Sequence, residues 1–288
     1  MSQSSESSAA AQAFFVARAE AVDMLLSLRA LFLVITYGAL TAVAGGVANW
    51  MYIKSQEQLA AAGGEAVRMA DVQAEFIKGL SSEGWVTPEL GDQLASGQLP
   101  VILLFVLKTT SWLLPGLILL VGFNRISGDI STRFTRYVLQ RVHRGSYLAG
   151  KVVGHWLVSL GAVMVVQAVL LGVAYGYDVF DHELVAKALP RVWLGMALFT
   201  LVFVAYTQMC AALFARPFVT LLLGLMLLVA CNVATWIAGR FWEPLGKIWV
   251  GDWDTRLWML DPMAVGVFLL YAAIFVALAQ VVLRKRDL

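Results

Sequence analysis

Few residues in this sequence have the chemistry to catalyse a reaction, and those few stand apart. His143, His155 and His182 are scattered among expected loops and interfaces. An intramembrane protease or lipid-modifying transferase would need paired acids, or a histidine with a carboxylate, at bilayer depth, and the sequence offers no such set. Asp252 and Asp254 invite a cation-site reading, but two acids in a tryptophan-rich interfacial segment are more often hydrogen-bonded or solvated. Cys210 and Cys231 lie in apolar runs and read as buried thiols, with neither disulfide nor metal spacing. No G-x-x-x-x-G-K-S/T run occurs, so no loop of this chain is expected to cradle a nucleotide phosphate. What remains is electrostatic and mechanical.

Its centre is the segment 124–151, NRISGDISTRFTRYVLQRVHRGSYLAGK, where Arg125, Arg133, Arg136, Arg141, Arg144 and Lys151 face a single acid, Asp129. At helical spacing Ile126, Ile130, Phe134, Tyr137 and Val138 fall on one face. Ser131, Thr132, Arg133, Thr135, Arg136 and Gln140 fall largely on the other. This pattern predicts an amphipathic helix lying at a membrane surface or docked on a partner. The second electrostatic feature is Lys108, the only ionisable residue well inside an expected span, followed by Thr109, Thr110 and Ser111. It lies about eight residues, roughly 12 Å of helical rise, from the outer end of that span. Lining a path and snorkelling to the interface both remain open for it. Gln167, Gln208 and Asn232 are single polar residues in later spans, as is Gln280. The first three join Lys108, Thr109 and Ser111 as candidates to line a path. Inter-helix hydrogen bonds worth about 0.6 kcal/mol each would also account for them.

The elements that must position these residues follow from composition. The chain is 60% hydrophobic and 14% charged, whereas soluble domains carry roughly a quarter charged residues. The excess is gathered in runs of the roughly 20 residues needed to cross hydrocarbon. An all-α polytopic membrane protein is therefore expected, with spans near 30–50, 99–123, 152–177, 192–215, 218–238 and 262–283. The net charge of +2 does not point to nucleic acid, because the basic residues cluster where membrane topology would put them. Residues 1–12 predict a disordered cytosolic tail without the basic start of a cleavable signal. Residues 13–29 carry Phe14, Phe15, Val22, Leu25, Leu26 and Leu28, broken by Arg18, Glu20, Asp23 and Arg29, and read as an interfacial helix. Trp50 and Tyr52 are placed at the far interface.

Residues 51–98 form an acidic excursion, read as a small helical extracytoplasmic insertion. Met69, Val72, Phe76 and Leu80 recur at helical spacing, and Thr87-Pro88-Glu89 opens a second short helix. Arg216-Pro217 separates spans four and five as a tight hairpin. Short-loop basic residues put the 124–151 segment, Arg216 and Arg284-Lys285-Arg286 in the cytosol. Segments 51–98, 178–190 and 239–261 fall outside and both termini inside. In the last of these, Trp242, Trp249, Trp253 and Trp258 alternate with charges, predicting a broken, re-entrant or interfacial pair of half-helices.

On these features the chain resembles the permease subunits of the type-2 ATP-binding-cassette (ABC) exporters over essentially its full length. The local match runs from Ile126-Ser127-Gly128-Asp129 through Thr135-Arg136-Tyr137-Val138-Leu139 to Arg144-Gly145 and Gly150-Lys151. Where the family often has an acid-rich start, this chain keeps Gly128-Asp129 and continues with Ile130, Ser131 and Thr132. The resemblance implies a single permease domain over 13–288. It has an elbow helix at 13–29, a cytosolic coupling helix within 124–147, and a broken segment before span six. It implies that Ile126, Gly128, Asp129, Ile130, Phe134, Arg136, Tyr137, Val138, Arg141 and Arg144 engage a separate cytosolic ABC ATPase subunit. That subunit would hold the ATP and Mg, and this chain would bind no cofactor and catalyse nothing itself. A second permease copy, identical or homologous, would complete a path through a bacterial cytoplasmic membrane. The other reading is a non-transporting subunit that passes ATPase motion to an extracytoplasmic accessory protein, for which the 51–98 segment would be the docking surface. Anchoring of the basic loop on anionic lipid is the plainer alternative to coupling.

Overall fold

A computed structural model describes residues 8–63, 101–176, 182–246 and 248–286. Among the described residues all regular elements are helical. Six helices among these residues are long and apolar enough to cross a membrane, through Leu28–Val47, Val106–Ser131, Arg144–Val173, Ala186–Leu213, Pro217–Phe241 and Pro262–Lys285.

Helix α1 (Ala9–Leu26) starts earlier than expected. The Ser8 hydroxyl accepts a hydrogen bond from the Ala11 amide (3.3 Å), an N-cap that the polar start supplies. Residues 9–12 are therefore helical where a disordered tail was expected, and the Gln12 side chain accepts from the His143 amide at 3.0 Å. An extended Ser27 separates α1 from α2 (Leu28–Gly63). Helix α2 does not stop at Trp50. The sequence beyond it, rich in Gln, Glu, Leu and Ala, favours helix, and the Lys54 ammonium sits 4.6 Å from the centre of the Trp50 ring. The rest of the 51–98 insertion, with both helices expected there, lies outside the described residues.

Helix α3 (Val101–Gly122) leads into two short helices, α4 (Asn124–Ser131) and α5 (Phe134–Leu139), and then into α6 (Arg144–Gly176). Helix α7 (His182–Leu213) takes up residues 182–190, where a loop over 178–190 was expected. Pro190 lies within it, and Glu183 and Lys187 pair one turn apart at 2.6 Å on its first turns. The proline costs one hydrogen bond there without ending the helix. Helix α8 (Pro217–Phe241) has its proline at the first turn, so the expected break at Arg216-Pro217 is present. The 239–261 stretch is broken, though into more pieces than two half-helices. Helix α8 runs to Phe241, followed by α9 (Glu243–Gly246), a 3-10 turn (Val250–Trp253) and α10 (Asp254–Trp258). Leu260, at φ 54°, then turns the chain into α11 (Pro262–Lys285), capped by the Asp261 side chain.

Contacts at the helix ends fix an up-and-down alternation. Arg144 donates to the carbonyls of Leu283 and Arg284, Arg286 to that of Leu213, and the Thr220 hydroxyl to that of Phe214. The starts of α2, α6 and α8 and the ends of α3, α7 and α11 thus share one end of the bundle, called here the basic end. At the other, aromatic end, Lys108 meets Asp254 and the Tyr271 hydroxyl donates to Ile248. Helix α7 is the buried axis, with Phe199, Phe203 and Tyr206 packed against Trp258, Phe268 and Phe275. Helix α8 is peripheral and buries Thr220 and Gly224, the latter against Leu119 of α3.

Candidate functional site

The basic end is where the sequence-expected residues gather, although the single amphipathic helix expected there does not form. The Ser131 and Thr132 hydroxyls both donate to the Gly128 carbonyl at 2.9 Å, and the Thr132 amide donates to the same oxygen. Short hydroxyl side chains that bond back to the main chain favour termination over propagation. Arg133 then takes the left-handed conformation at φ 59°, and α5 leaves in a new direction. The apolar face predicted from spacing is consequently split. Ile126 is fully buried and Ile130 and Val138 are half-buried, while Phe134 and Tyr137 stand 54% and 67% exposed.

Behind the break, buried charges tie three elements together. Glu20 of α1, 3% exposed, lies 2.6 Å from the Lys151 ammonium of α6 and 3.2 Å from the Arg125 Nε of α4. The contact to Arg125 is an ion pair without hydrogen-bond alignment. Arg125 also pairs with the exposed Asp23. Lys151 reaches the Asp129 carboxylate at 2.9 Å, and that carboxylate accepts from the Tyr147 hydroxyl at 2.6 Å. Such charges are tolerated out of water only when each has a partner. Helix α1 can approach α6 closely enough because α6 presents glycine. A Cβ on Gly150 would lie 2.5 Å from Val16 Cβ and 2.8 Å from the Ala13 carbonyl, and one on Gly154 would lie 2.6 Å from the Ala17 carbonyl. Small residues four apart are the usual means of bringing helix backbones together in lipid.

The ten residues expected at a partner interface therefore divide. Ile126, Asp129 and Arg144 face inward, Arg144 onto the last carbonyls of α11. Gly128 lies under the Asn124 side chain, with its carbonyl taken by Ser131 and Thr132. Ile130 and Val138 pack along the edge. Phe134, Arg136, Tyr137 and Arg141, with Arg133, form the outward surface. Gly145 to Lys151 spells G-x-x-x-x-G-K followed by Val152, but the segment is helical from Arg144 and Lys151 is engaged by two carboxylates. It has neither the loop nor the free lysine of a phosphate cradle.

The six candidate path residues do not converge. Lys108 is half-buried near the aromatic end, with its ammonium 3.4 Å from both Asp254 carboxylate oxygens and 3.1 Å from the Thr255 hydroxyl. It is a tie between α3 and α10. Thr109 is half-buried, and the Ser111 hydroxyl returns to the Leu107 carbonyl at 3.1 Å. Gln167 is buried 3.4 Å from the Tyr37 hydroxyl, which bonds Thr110 at 2.7 Å, so three spans meet there. Gln208 is buried against His155. Asn232 is exposed on peripheral α8 and donates to its own helix at Leu228, where an inter-helix bond had been expected.

Sequence reasoning missed Glu20 as the hub of the ion network, Asp254 as the partner of Lys108, and the docking role of Gly150 and Gly154. The four-residue glycine spacing was the available signal for the last. Among the described residues no group of three histidine, cysteine or acidic side chains is placed to hold a metal. Comparison with protein-family models and with curated proteins finds no match to this chain.

Proposed function

We propose that this chain is the membrane-spanning permease subunit of an ATP-driven ABC exporter, joined to a separate cytosolic ATPase through α5. The observation that carries the reading is the pairing of an outward face with a rigid mount. Phe134 and Tyr137 are large, apolar and exposed among Arg133, Arg136 and Arg141, while Glu20, Arg125, Asp129 and Lys151 lock the helix just before them to α1 and α6. Exposed aromatics with arginine are the side chains that dominate protein interfaces. A lever must transmit displacement as a body, and buried paired charges resist sliding because any shift unpairs them. The short-loop basic residues at this end support a cytosolic orientation. In this reading α1 is the elbow helix, with Phe14, Phe15, Leu25 and Leu26 exposed toward lipid. Two copies, or one copy with a homologous partner, enclose the path, and ATPase closure drives α5.

The test is Phe134→Asp in the full chain, read against the ATPase subunit expected to co-purify with the unaltered protein. The variant is expected to reach the membrane at normal levels and to lose co-purification of the ATPase, whereas Phe14→Asp on the lipid-facing side of α1 retains it. Retained ATPase binding by Phe134→Asp overturns docking through this face. A basic loop that merely anchors on anionic lipid would give no ATPase to lose.

A further inference from the structure

Two of the least buried spans carry a cation near each end. Arg29 and Lys54 lie on α2, and Arg216 and Arg240 lie at the start and end of α8. Among the described residues none of the four forms an ion pair with a carboxylate. The acids nearest Arg29 in sequence, Glu20 and Asp23, are taken by Lys151 and Arg125. Each cation instead borders large exposed apolar side chains. Arg29 has Leu28 and Phe32, Arg216 has Phe218, and Arg240 has Phe241. At the aromatic end the two cations rest on exposed indoles. The Lys54 ammonium is 4.6 Å from the centre of the Trp50 ring, and the Arg240 guanidinium 5.2 Å from that of Trp236. Tryptophan settles at the level of the lipid headgroups. A cation on the ring face is attracted to it, but its N–H donors still need acceptors.

The spacing along the helices identifies the acceptor. Arg29 and Lys54 are separated by about 38 Å of helical rise on one continuous helix, and Arg216 and Arg240 by about 36 Å. A bilayer has about 30 Å of hydrocarbon and about 40–45 Å with its headgroup layers, so its phosphate planes fall between those limits. A tilt of about 20° leaves both spacings inside them, at about 34–36 Å. Carboxylates of a partner chain would have no reason to recur at this spacing on two helices of unrelated sequence. We propose that Arg29 and Arg216 bind lipid phosphate groups in the leaflet at the basic end, and Lys54 and Arg240 those in the leaflet at the aromatic end. The ligand is the phosphodiester shared by zwitterionic and anionic phospholipids. The guanidinium groups take it through paired N–H donors and the ammonium as a point charge. The long stems cover the apolar boundary while the charged heads reach the phosphate. The membrane then ends at Lys54 on α2, and 55–63, which open with Ser55, Gln56, Glu57 and Gln58, continue as helix in water. These contacts stand whether or not the chain is a permease.

Solid-state NMR of the full chain in phosphatidylcholine bilayers tests it, through dephasing of 15N-labelled arginine and lysine side-chain nitrogens by the lipid 31P. Arg29→Gln, Lys54→Gln, Arg216→Gln and Arg240→Gln identify the four signals as those missing from the variant spectra. Should a glutamine variant fail to fold, Arg→Lys or Lys→Arg at the same position moves the signal to the other spectral region and assigns it equally well. In the unaltered protein each of the four is expected to lose about half or more of its intensity. The mixing time is one that leaves Lys108 and Lys151, which are held by carboxylates, unchanged. Absence of dephasing at both cations of either leaflet overturns the proposal, and it is the result that pairing with acids of a second copy would give. Equal dephasing at Lys151 overturns it too, because the effect would then report proximity to lipid in general.

Discussion

Neutralising Glu20 without changing its shape isolates the ion network. At 2.6 Å from Lys151, and with an effective dielectric of about 20, the Coulomb attraction is about 6 kcal/mol before desolvation is counted. Desolvation of each ion takes back several kcal/mol, but removing one partner from a buried pair leaves the other charge buried, at a cost of about 3–5 kcal/mol. After Glu20→Gln, Lys151 keeps Asp129 and Arg125 keeps Asp23, which is 73% exposed and a weak substitute. The lower end of that range, about 3 kcal/mol, is expected. Lys151→Met should cost a similar amount, because Asp129 keeps only the Tyr147 hydroxyl. The double variant leaves fewer unpaired charges than the two singles together, so it should cost about 4 kcal/mol instead of the roughly 6 that additivity gives. The assay is reversible unfolding in mixed micelles followed by tryptophan fluorescence. A Glu20→Gln cost below about 1 kcal/mol, or additivity within about 0.5 kcal/mol, would refute the reasoning.

Other substitutions address the remaining contacts. Gly150→Leu should lift α1 from α6, raising thiol labelling of a cysteine placed at buried Ala17 about tenfold or more. A Cβ on Gly161 of the same helix meets nothing within 4 Å, so Gly161→Leu should leave labelling unchanged, and equal behaviour of the two would sink the close-approach argument. At the aromatic end, Lys108→Asp should destabilise the bundle by about 3–5 kcal/mol by setting two buried carboxylates side by side. Adding Asp254→Lys should recover more than half of that in thermal unfolding, and no recovery would mean that the two side chains do not meet.

The six apolar runs were legible because hydrocarbon imposes a minimum length that few soluble segments satisfy. The break at Pro217 was legible because proline at a first helical turn has a mechanism. The docking of α1 was not, because a chain made for lipid inverts the usual signal. Its apolar residues at Phe14, Phe15, Leu25 and Leu26 mark the exposed face, and the buried face is Ala17, Glu20 and Met24. An apolar stripe therefore names the side that faces lipid and conceals the side that faces protein. The reading of 124–151 failed for a different reason, because Phe134 and Tyr137 were grouped with Ile126 on spacing alone. Spacing could not register the two hydroxyls that end α4 at Gly128. The Lys108–Asp254 pair joins residues 146 positions apart, and the only hint was that Lys108 is a lone charge in an apolar run that needs a partner.

The placement of polar ties bears on which parts of the bundle can move together. Helices α1, α4 and α6 share the Glu20 network, and α2, α3 and α6 share the Tyr37–Thr110–Gln167 cluster, so one set of side chains would have to be unpaired to separate any of these. Helix α7 is held to α6 by dry packing and by two polar contacts, His155 to Gln208 and the Trp156 indole to the Ala197 carbonyl. Helix α8 bonds to α7 through the Tyr206 hydroxyl at the Gly224 carbonyl. A displacement applied at α5 thus meets its stiffest coupling in α1 and α6 and its most adaptable one at the α6–α7 face. There the His155–Gln208 and Trp156–Ala197 hydrogen bonds exchange more readily than interlocked branched side chains repack. Substitutions that make this face wholly apolar, such as His155→Leu combined with Gln208→Leu, should therefore preserve the fold better in thermal unfolding than either single change, which leaves one polar partner stranded.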